Sequence, residues 1–342
     1  MLLKFSPNPV HIPQICKSII NSFISIPFFT TDYHYIPLSP TMKTKTIQTI
    51  TTPPLVTDST GIPIRRIIEA PKAADMDPFL LFDYFSAKKP AGFFDHPHRG
   101  FELATYVIKG QLIHEDFRGN KEILGPGDFE WSSVGQGVVH SEMPMSETEE
   151  TVGFILWVNL PKEDKLNKFS YKKIAHKEIP RLDCQGVSVK VLAGEAFGLK
   201  GMVSPKAEVL MLDVHMTDDC IFEHIVPKGW NAMCFVYEGA LDVVPFCSCC
   251  STHRVNKDQA ARLTTSKEDR LLHIETGKEG SKFLLIAGKP LNEPVHQHGP
   301  FVLATQKDLS QAFEDFRRGI NGFEGAQDFA SEFGKRPHPK HY

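Results

Sequence analysis

The chain has 342 residues, of which 41% are hydrophobic and 23% charged, a composition ordinary for a globular protein and long enough for two domains. Its net charge is −3, with +3 on residues 1–52 and −6 on the remainder, which argues against phosphate-driven binding of nucleic acid. No apolar run reaches the ~18 residues that a membrane span needs, and seven scattered cysteines favour a reducing compartment over a secreted disulfide scaffold.

Residues 1–52 differ in composition from the rest of the chain, being rich in Ile, Phe, Ser, Thr and Pro. Six prolines between Pro7 and Pro40 would interrupt an amphipathic targeting helix, and the segment has no Arg, although organelle targeting stays open. We expect residues 1–52 to be a disordered extension that is dispensable for folding.

The most informative stretch is 93–142, which contains two pairs of residues spaced two apart. His96 and His98 form the first pair, and His140 and Glu142 the second. On β-strands each pair would project to one face, so the two pairs can converge. Three imidazoles and a carboxylate suit a first-row divalent metal such as iron, and no Cys lies in the stretch.

Between the two pairs the sequence is typical of antiparallel β-structure. Leu103 to Ile108 is a predicted strand rich in β-branched and aromatic residues, and Gln111 to Phe117 is predicted to return beside it after a turn at Gly110. A meander of short strands that aligns H-x-H with a later His is the signature of a small β-barrel. By contrast, the lysine-rich segment from Tyr171 to Ile179 is interpreted as solvated surface.

Several of these motifs together resemble the pirins, a branch of the cupin superfamily. The motifs are H-P-H-R-G-F-E at 96–102, P-G-D at 126–128, H-S-E-M-P at 140–144, G-K-P-L-N-E-P at 288–294 and Q-H-G-P-F at 297–301. The resemblance covers roughly residues 55–330 and is far more specific than a lone H-x-H. It implies an all-β fold of two tandem cupin, jelly-roll-like barrels, with one Fe2+ per chain held by His96, His98, His140 and Glu142.

An internal repeat supports two copies of one fold. Residues 100–110 align with residues 229–239, matching glycines, aromatic residues and apolar strand positions. At the same offset the first two ligand positions fall on Ile225 and Pro227, so the second copy is expected to have lost the metal site. We therefore predict an N-terminal cupin domain at 53–185, a C-terminal one at 186–305, and a helix and tail at 306–342.

The tail contains the clearest helix pattern, from Asp308 to Phe323. Leu309, Phe313 and Phe316 recur at helical spacing, Thr305 is a suitable N-cap, and Gly322 marks the predicted end.

Four other features contain residue types that could bind a metal, but we interpret each of them in another way. Glu102 follows the H-x-H closely, and we place it behind the metal ligands or in the pocket wall. The second half of the chain repeats the H-x-E and H-x-H spacings, but in reversed order, at His273–Glu275 and His296–His298. Cys247, Cys249, Cys250 and His253 do not have standard zinc-finger spacing and are interpreted as reduced surface cysteines with a nearby histidine.

The resemblance implies two functions of different kinds. One is flavonol dioxygenase activity, usually called quercetin 2,3-dioxygenase, with a flavonol and dioxygen as substrates and Glu142 as the catalytic base. The other is a non-enzymatic nuclear co-regulator of transcription or signalling, with protein partners and with iron as a structural or redox-sensing element. We expect a monomer in nucleus and cytoplasm that contacts neither nucleic acid nor membrane directly. A flavonol-sized apolar cavity beside the metal would favour the enzyme, and a sealed site the regulator.

Overall fold

The computed structural model describes residues 43–69, 75–246, 250–265 and 268–334, and strands account for most of the regular structure there. The first of them are β1 (Lys43–Thr44), β2 (Ile47–Thr51), β3 (Leu55–Thr57), β4 (Pro63–Ile68), β5 (Phe79–Ala87), β6 (Phe93–His98), β7 (Phe101–Lys109), β8 (Leu112–Asp116), β9 (Lys121–Leu124), β10 (Phe129–Ser133), β11 (Val138–Pro144), β12 (Thr151–Asn159) and β13 (Ser170–Ile174). The first domain consists of a seven-stranded sheet, in the order β13-β10-β7-β12-β5-β4-β3, and a four-stranded sheet, β6-β11-β8-β9.

The second domain follows with a similar arrangement of strands. They are β14 (Arg181–Cys184), β15 (Val187–Ala193), β16 (Glu195–Ala196), β17 (Leu199–Lys200), β18 (Val209–Met216), β19 (Ile221–Ile225), β20 (Asn231–Val243), β21 (His253–Asn256), β22 (Ala260–Leu263), β23 (Asp269–Glu275) and β24 (Ser281–Gly288). A small hairpin of β25 (His296–His298) and β26 (Phe301–Leu303) leads into helix α1 (Gln306–Arg318). The predicted architecture, two tandem β-domains followed by a helix, is confirmed. No helix in the described ranges is long and apolar enough to cross a membrane.

Strand β12 shows why a continuous apolar run is needed at the centre of the first domain. It is the middle strand of the seven-stranded sheet, and both faces of the sheet are covered at this point. Phe154 and Leu156 face the second domain, where they join a core that also contains Phe235 and Ile286. Ile155, on the other face, packs in the core between the two sheets of the first domain.

The core between the domains is largely apolar, and the buried carboxylate of Asp213 on β18 lies at its edge. Tyr106 Oη donates to it from the first domain at 2.7 Å, and Tyr237 Oη at 2.6 Å and Lys190 Nζ at 3.2 Å from the second. Burial alone would raise its pKa, but His215 and Lys190 outweigh that effect and lower the pKa of Asp213 to about 2. The ionised carboxylate therefore joins the domains at a fixed point.

The described N-terminal segment belongs to the second domain. β2 pairs with β22 and β1 with β23, and the ammonium group of Lys45 is buried, donating to the Thr264 carbonyl. The prediction that residues 1–52 form a disordered extension is therefore wrong for 43–51, while residues 1–42 lie outside the described ranges. The prolines that argued against packing end at Pro40, and the β-branched residues after it suit a sheet edge.

The C-terminal segment, conversely, packs on the first domain. Phe301, Leu309 and Phe323 form a core with Val139 of β11, and buried Arg99 is paired with Asp315 of α1 at 2.7 Å.

The predicted N-cap of helix α1 is confirmed. The Thr305 side chain accepts a hydrogen bond from Asp308 N. The helix ends earlier than predicted, because Gly319 caps it in the left-handed conformation (φ 64°), three residues before Gly322.

These contacts change the expected effect of N-terminal truncation. A chain beginning at residue 43 should be as stable as the full chain, whereas one beginning at residue 53 loses β1 and β2. At ~1 kcal/mol per hydrogen bond, the latter should lose roughly 4 kcal/mol or more of unfolding free energy in urea titrations. Metal content per folded chain should not change, because both strands lie in the second domain. Equal stability of the two truncated chains would contradict this interpretation of β1 and β2.

Candidate metal site

The three predicted histidine ligands meet where β6 and β11 pair in the four-stranded sheet. His96 lies opposite His140 in the antiparallel register, and His98 lies opposite Val138. The candidate ligand nitrogens of His96, His98 and His140 all lie within 4.8 Å of one another, and the Nε2 atoms of His96 and His140 are 3.2 Å apart. The alternation of side chains along the two strands thus brings both halves of the motif to one point.

The surroundings of His98 and His140 favour the neutral, metal-binding form of histidine. Burial, followed by the charge of His96, holds the pKa of His98 well below its usual range, and the pKa of His140 is lowered in the same way. His96 Nδ1 lies 2.6 Å from the Phe94 carbonyl, which fixes that ring nitrogen as the donor and leaves Nε2 as the lone-pair nitrogen. A first-row divalent ion requires such neutral imidazoles, so the donor set fits iron.

Glu142, the fourth predicted ligand, lies in a cluster next to the three histidines. A carboxylate oxygen of Glu142 is within 4.8 Å of ligand atoms of His114 and Glu130, and its Oε1 accepts a hydrogen bond from Thr105 at 2.7 Å. The two clusters are contiguous, since the rings of His114 and His140 are 5.3 Å apart. The structure thus brings three of the four predicted ligands together and places the carboxylate beside them.

The ionisation of this cluster is set by burial and by its own charges. Burial and then the charge of Glu130 raise the pKa of Glu142 to about 8. Burial opposes protonation of His114, but Glu130 and Asp116 outweigh it and raise the pKa of His114 to about 10. Burial and the neighbouring Glu130 therefore favour the protonated form of Glu142 in this cluster.

Sequence reasoning missed His114, Glu130 and Tyr171. Tyr171 was placed on a solvated segment, but β13 pairs with β10, and its hydroxyl donates to Glu130 at 2.8 Å while its ring stacks on His114 at 4.5 Å. The sequence did contain a signal for His114. It lies two residues before Asp116 on a predicted strand, the same spacing as in the two predicted ligand pairs.

Glu102 lies on the far side of its sheet from the metal ligands. It is on β7, on the face opposite Thr105, and its Oε2 accepts a hydrogen bond from the backbone N–H of Lys206 in the second domain at 3.0 Å. It forms the wall of a cleft between the domains. The prediction that Glu102 lies behind the metal ligands is therefore wrong, and the cleft that it lines is not a pocket at the metal site.

The repeated motifs of the second half are engaged in other contacts. His273 lies between Glu223 and Glu275, with nitrogen–oxygen distances of 2.8 and 3.0 Å, and the ring of His298 packs on Phe313 at 5.4 Å.

An extensive apolar cluster fills the second domain, and both groups of potential metal ligands found in the described ranges lie in the first. Cys247 and Cys249 lie outside those ranges, and Cys250 is exposed.

Residues 331–334, here called the C-terminal clasp, contact the backs of β6 and β11, which carry the predicted ligands, and of the neighbouring β8. Ser331 Oγ donates to Asp95 of β6 at 2.5 Å, and the N–H of Phe333 donates to Glu115 of β8 at 2.9 Å. Gly334 lies against Ser141 of β11, where an added Cβ would be 2.2 Å from the Ser141 Cβ. Asp95, Ser141 and Glu115 are chain neighbours of His96, His140 and His114, so we expect the clasp to help position these side chains.

We expect Gly334→Ala to lower metal affinity roughly tenfold, the lower end of the range for residues that support metal ligands. The added methyl cannot fit against Ser141, and a second change, Ser141→Gly, should restore much of the loss. Competition with a chelator measures the affinity. Gly277→Ala is the matched control, because its Cβ would meet nothing within 4 Å. Unchanged affinity in Gly334→Ala would show that the clasp does not position the ligands.

The chain is similar to known proteins over most of its length. The family models described as "Pirin" and "Pirin C-terminal cupin domain" match residues 61–158 and 211–322. Pirin from Rattus norvegicus is 39% identical over 281 residues, 82% of this chain and 94% of that protein, and a pirin-like protein from Solanum lycopersicum is 38% identical over 272 residues, 80% and 91% of the two chains. A crystal structure of quercetin 2,3-dioxygenase from Acinetobacter baumannii is 29% identical with a TM-score of 0.72, covering 81% of this chain and 98% of that one.

Proposed function

Since this chain belongs to the pirin family, we propose that it binds one iron ion in its first domain and uses it to cleave flavonols with dioxygen. The observation that carries the proposal is the convergence of three imidazoles, two of them buried and of lowered pKa, beside the buried carboxyl group of Glu142. The similarity to a quercetin 2,3-dioxygenase over most of both chains supports the choice of substrate class.

In this proposal His96, His98 and His140 hold the metal, with Glu142 as the fourth ligand. Bound iron would supply Lewis acidity and the capacity to exchange electrons with dioxygen. Glu142 would accept the proton of the flavonol 3-hydroxyl, because it is the one carboxylate among the proposed ligands.

Two aromatic side chains lie next to His98 and would suit contact with a flat apolar substrate. The ring of His98 lies 5.1 Å from Trp157 and 5.2 Å from Phe101, and these two aromatic rings stack at 4.3 Å. Phe101 is fully buried, whereas Trp157 is partly exposed and is the ring on which a flavonol could stack.

A second candidate, a nuclear and cytoplasmic co-regulator that binds protein partners, is favoured by a different observation. Only 2% of His98, 1% of His140 and 2% of Glu142 is exposed. Side chains this closed to solvent suit an ion that serves as a structural or redox-sensing element.

The experiment compares iron-loaded and metal-free protein for oxygen-dependent loss of quercetin. We expect the iron-loaded protein to consume quercetin, with one molecule of dioxygen consumed per molecule of flavonol. The metal-free protein should consume no quercetin. Loaded protein that consumes no quercetin would remove the dioxygenase proposal and leave the regulatory candidate. Consumption that does not depend on metal would contradict the assignment of the activity to this site.

A further inference from the structure

A cleft of about 660 Å3 lies between the domains, on the face of the seven-stranded sheet that is turned away from the metal site. Its floor is formed by Glu102 of β7 and by Trp131 and Ser133 of β10, and Glu102 lies opposite Ser133 in the register of these strands. Side chains on this face join the core between the domains, as Trp131 does, whereas Thr105 on the other face contacts Glu142.

The floor offers polar groups that the fold does not fully use. Ser133 is 6% exposed, and its Oγ has no hydrogen-bond partner in the described parts of the chain. A buried hydroxyl of this kind calls for a partner such as a ligand. Glu102 beside it is 2% exposed; burial raises its pKa to about 7, against the opposing effects of the Lys206 N–H and Trp131.

The rim of the cleft is basic. Lys168, Lys172 and Lys206 line it, all exposed, whereas Glu102 is the one carboxylate among its lining residues. Lys172 is held in place by donating to the Met202 carbonyl at 2.6 Å. Positive side chains around a concave surface raise the local concentration of anions.

We propose that this cleft binds a small organic anion, with the anionic group among the rim lysines and a hydrogen-bonding group on Ser133. Its volume is within the range of small-molecule sites, ~300–1,000 Å3. Tyr171 lines this cleft and also contacts His114 and Glu130, but none of the proposed metal ligands lines it, so either proposal can fail without the other.

Naphthalene-2-sulfonate is a suitable probe, because it is a compact aromatic anion and a poor metal ligand. Isothermal titration calorimetry of the full chain should show saturable binding at one site. The double variant Lys168→Gln/Lys206→Gln should bind about tenfold more weakly, since it loses two ion pairs, and Ser133→Ala should also weaken binding. The matched control, Lys177→Gln/Lys257→Gln, removes two exposed lysines that do not line the cleft and should bind as the wild type does.

The neutral analogue naphthalene-2-sulfonamide tests whether charge is recognised, and it should bind at least tenfold more weakly than the sulfonate. Absence of saturable binding to the wild type would overturn the proposal. The proposal would also be overturned if the two probes bound with equal affinity, or if the double variant of the rim bound as tightly as its control. Either result would show that the protein adsorbs the probe without recognising its charge.

Discussion

Glu142→Gln should lower oxygen-dependent consumption of quercetin by roughly 10²-fold or more at matched metal content, the usual scale for losing a positioned base. The amide keeps the size of the side chain and one oxygen donor but accepts no proton. Because the Thr105 hydroxyl can still donate to that oxygen, the position of the side chain should be retained. Metal affinity should therefore fall by less than it does on losing a histidine.

The matched control is Glu275→Gln, which makes the same change in the second H-x-E sequence. Glu275 contacts His273 in the second domain, far along the chain from the proposed chemistry, and its loss should leave turnover unchanged. Equal rates for Glu142→Gln and wild type at equal iron content would eliminate Glu142 as the base.

The double variant His96→Ala/His140→Ala should retain no tightly bound metal, whereas the wild type should carry one ion per chain. The two rings supply two of the three converging nitrogens, and a single remaining imidazole cannot hold a first-row ion against a chelator. Elemental analysis of tag-free protein gives the stoichiometry.

His296→Ala/His298→Ala provides the corresponding control for the second H-x-H sequence and should keep one ion per chain. Circular dichroism should show that both variants are folded. A stoichiometry near two in the wild type, or full metal content in His96→Ala/His140→Ala, would contradict the single-site assignment.

The fold of this chain was predictable because its strands carry strong local signals. Alternation around His96–His98 and His140–Glu142, and the unbroken apolar run of β12, specify which faces are buried. The pairing of residues 43–51 with β22 and β23 was not predictable, since short polar strands at a sheet edge are defined by the strand that they join.

The site was predictable only as far as sequence spacing determines side-chain direction. Two-residue spacing identified the three histidines, but the partners of Glu142 come from other strands. His114 reaches it through the register of β8 with β11, and Glu130 from β10 in the opposite sheet; this is information that a single sequence does not display. Glu102 was misplaced because a strand residue near a ligand motif can face either side of the sheet.

The N-terminal strands pair within the second domain and the C-terminal segment packs on the first, and this arrangement has a consequence for biosynthesis. β1 and β2 emerge from the ribosome before any of the first domain, yet their partners β22 and β23 are made more than 200 residues later. The first domain in turn lacks Asp315, the partner of buried Arg99, and the clasp until translation has passed residue 334. Domains usually fold in order as they are synthesised. Here the first domain waits for the second, so a nascent chain that stalls after residue 290 would expose an incomplete first domain to chaperones.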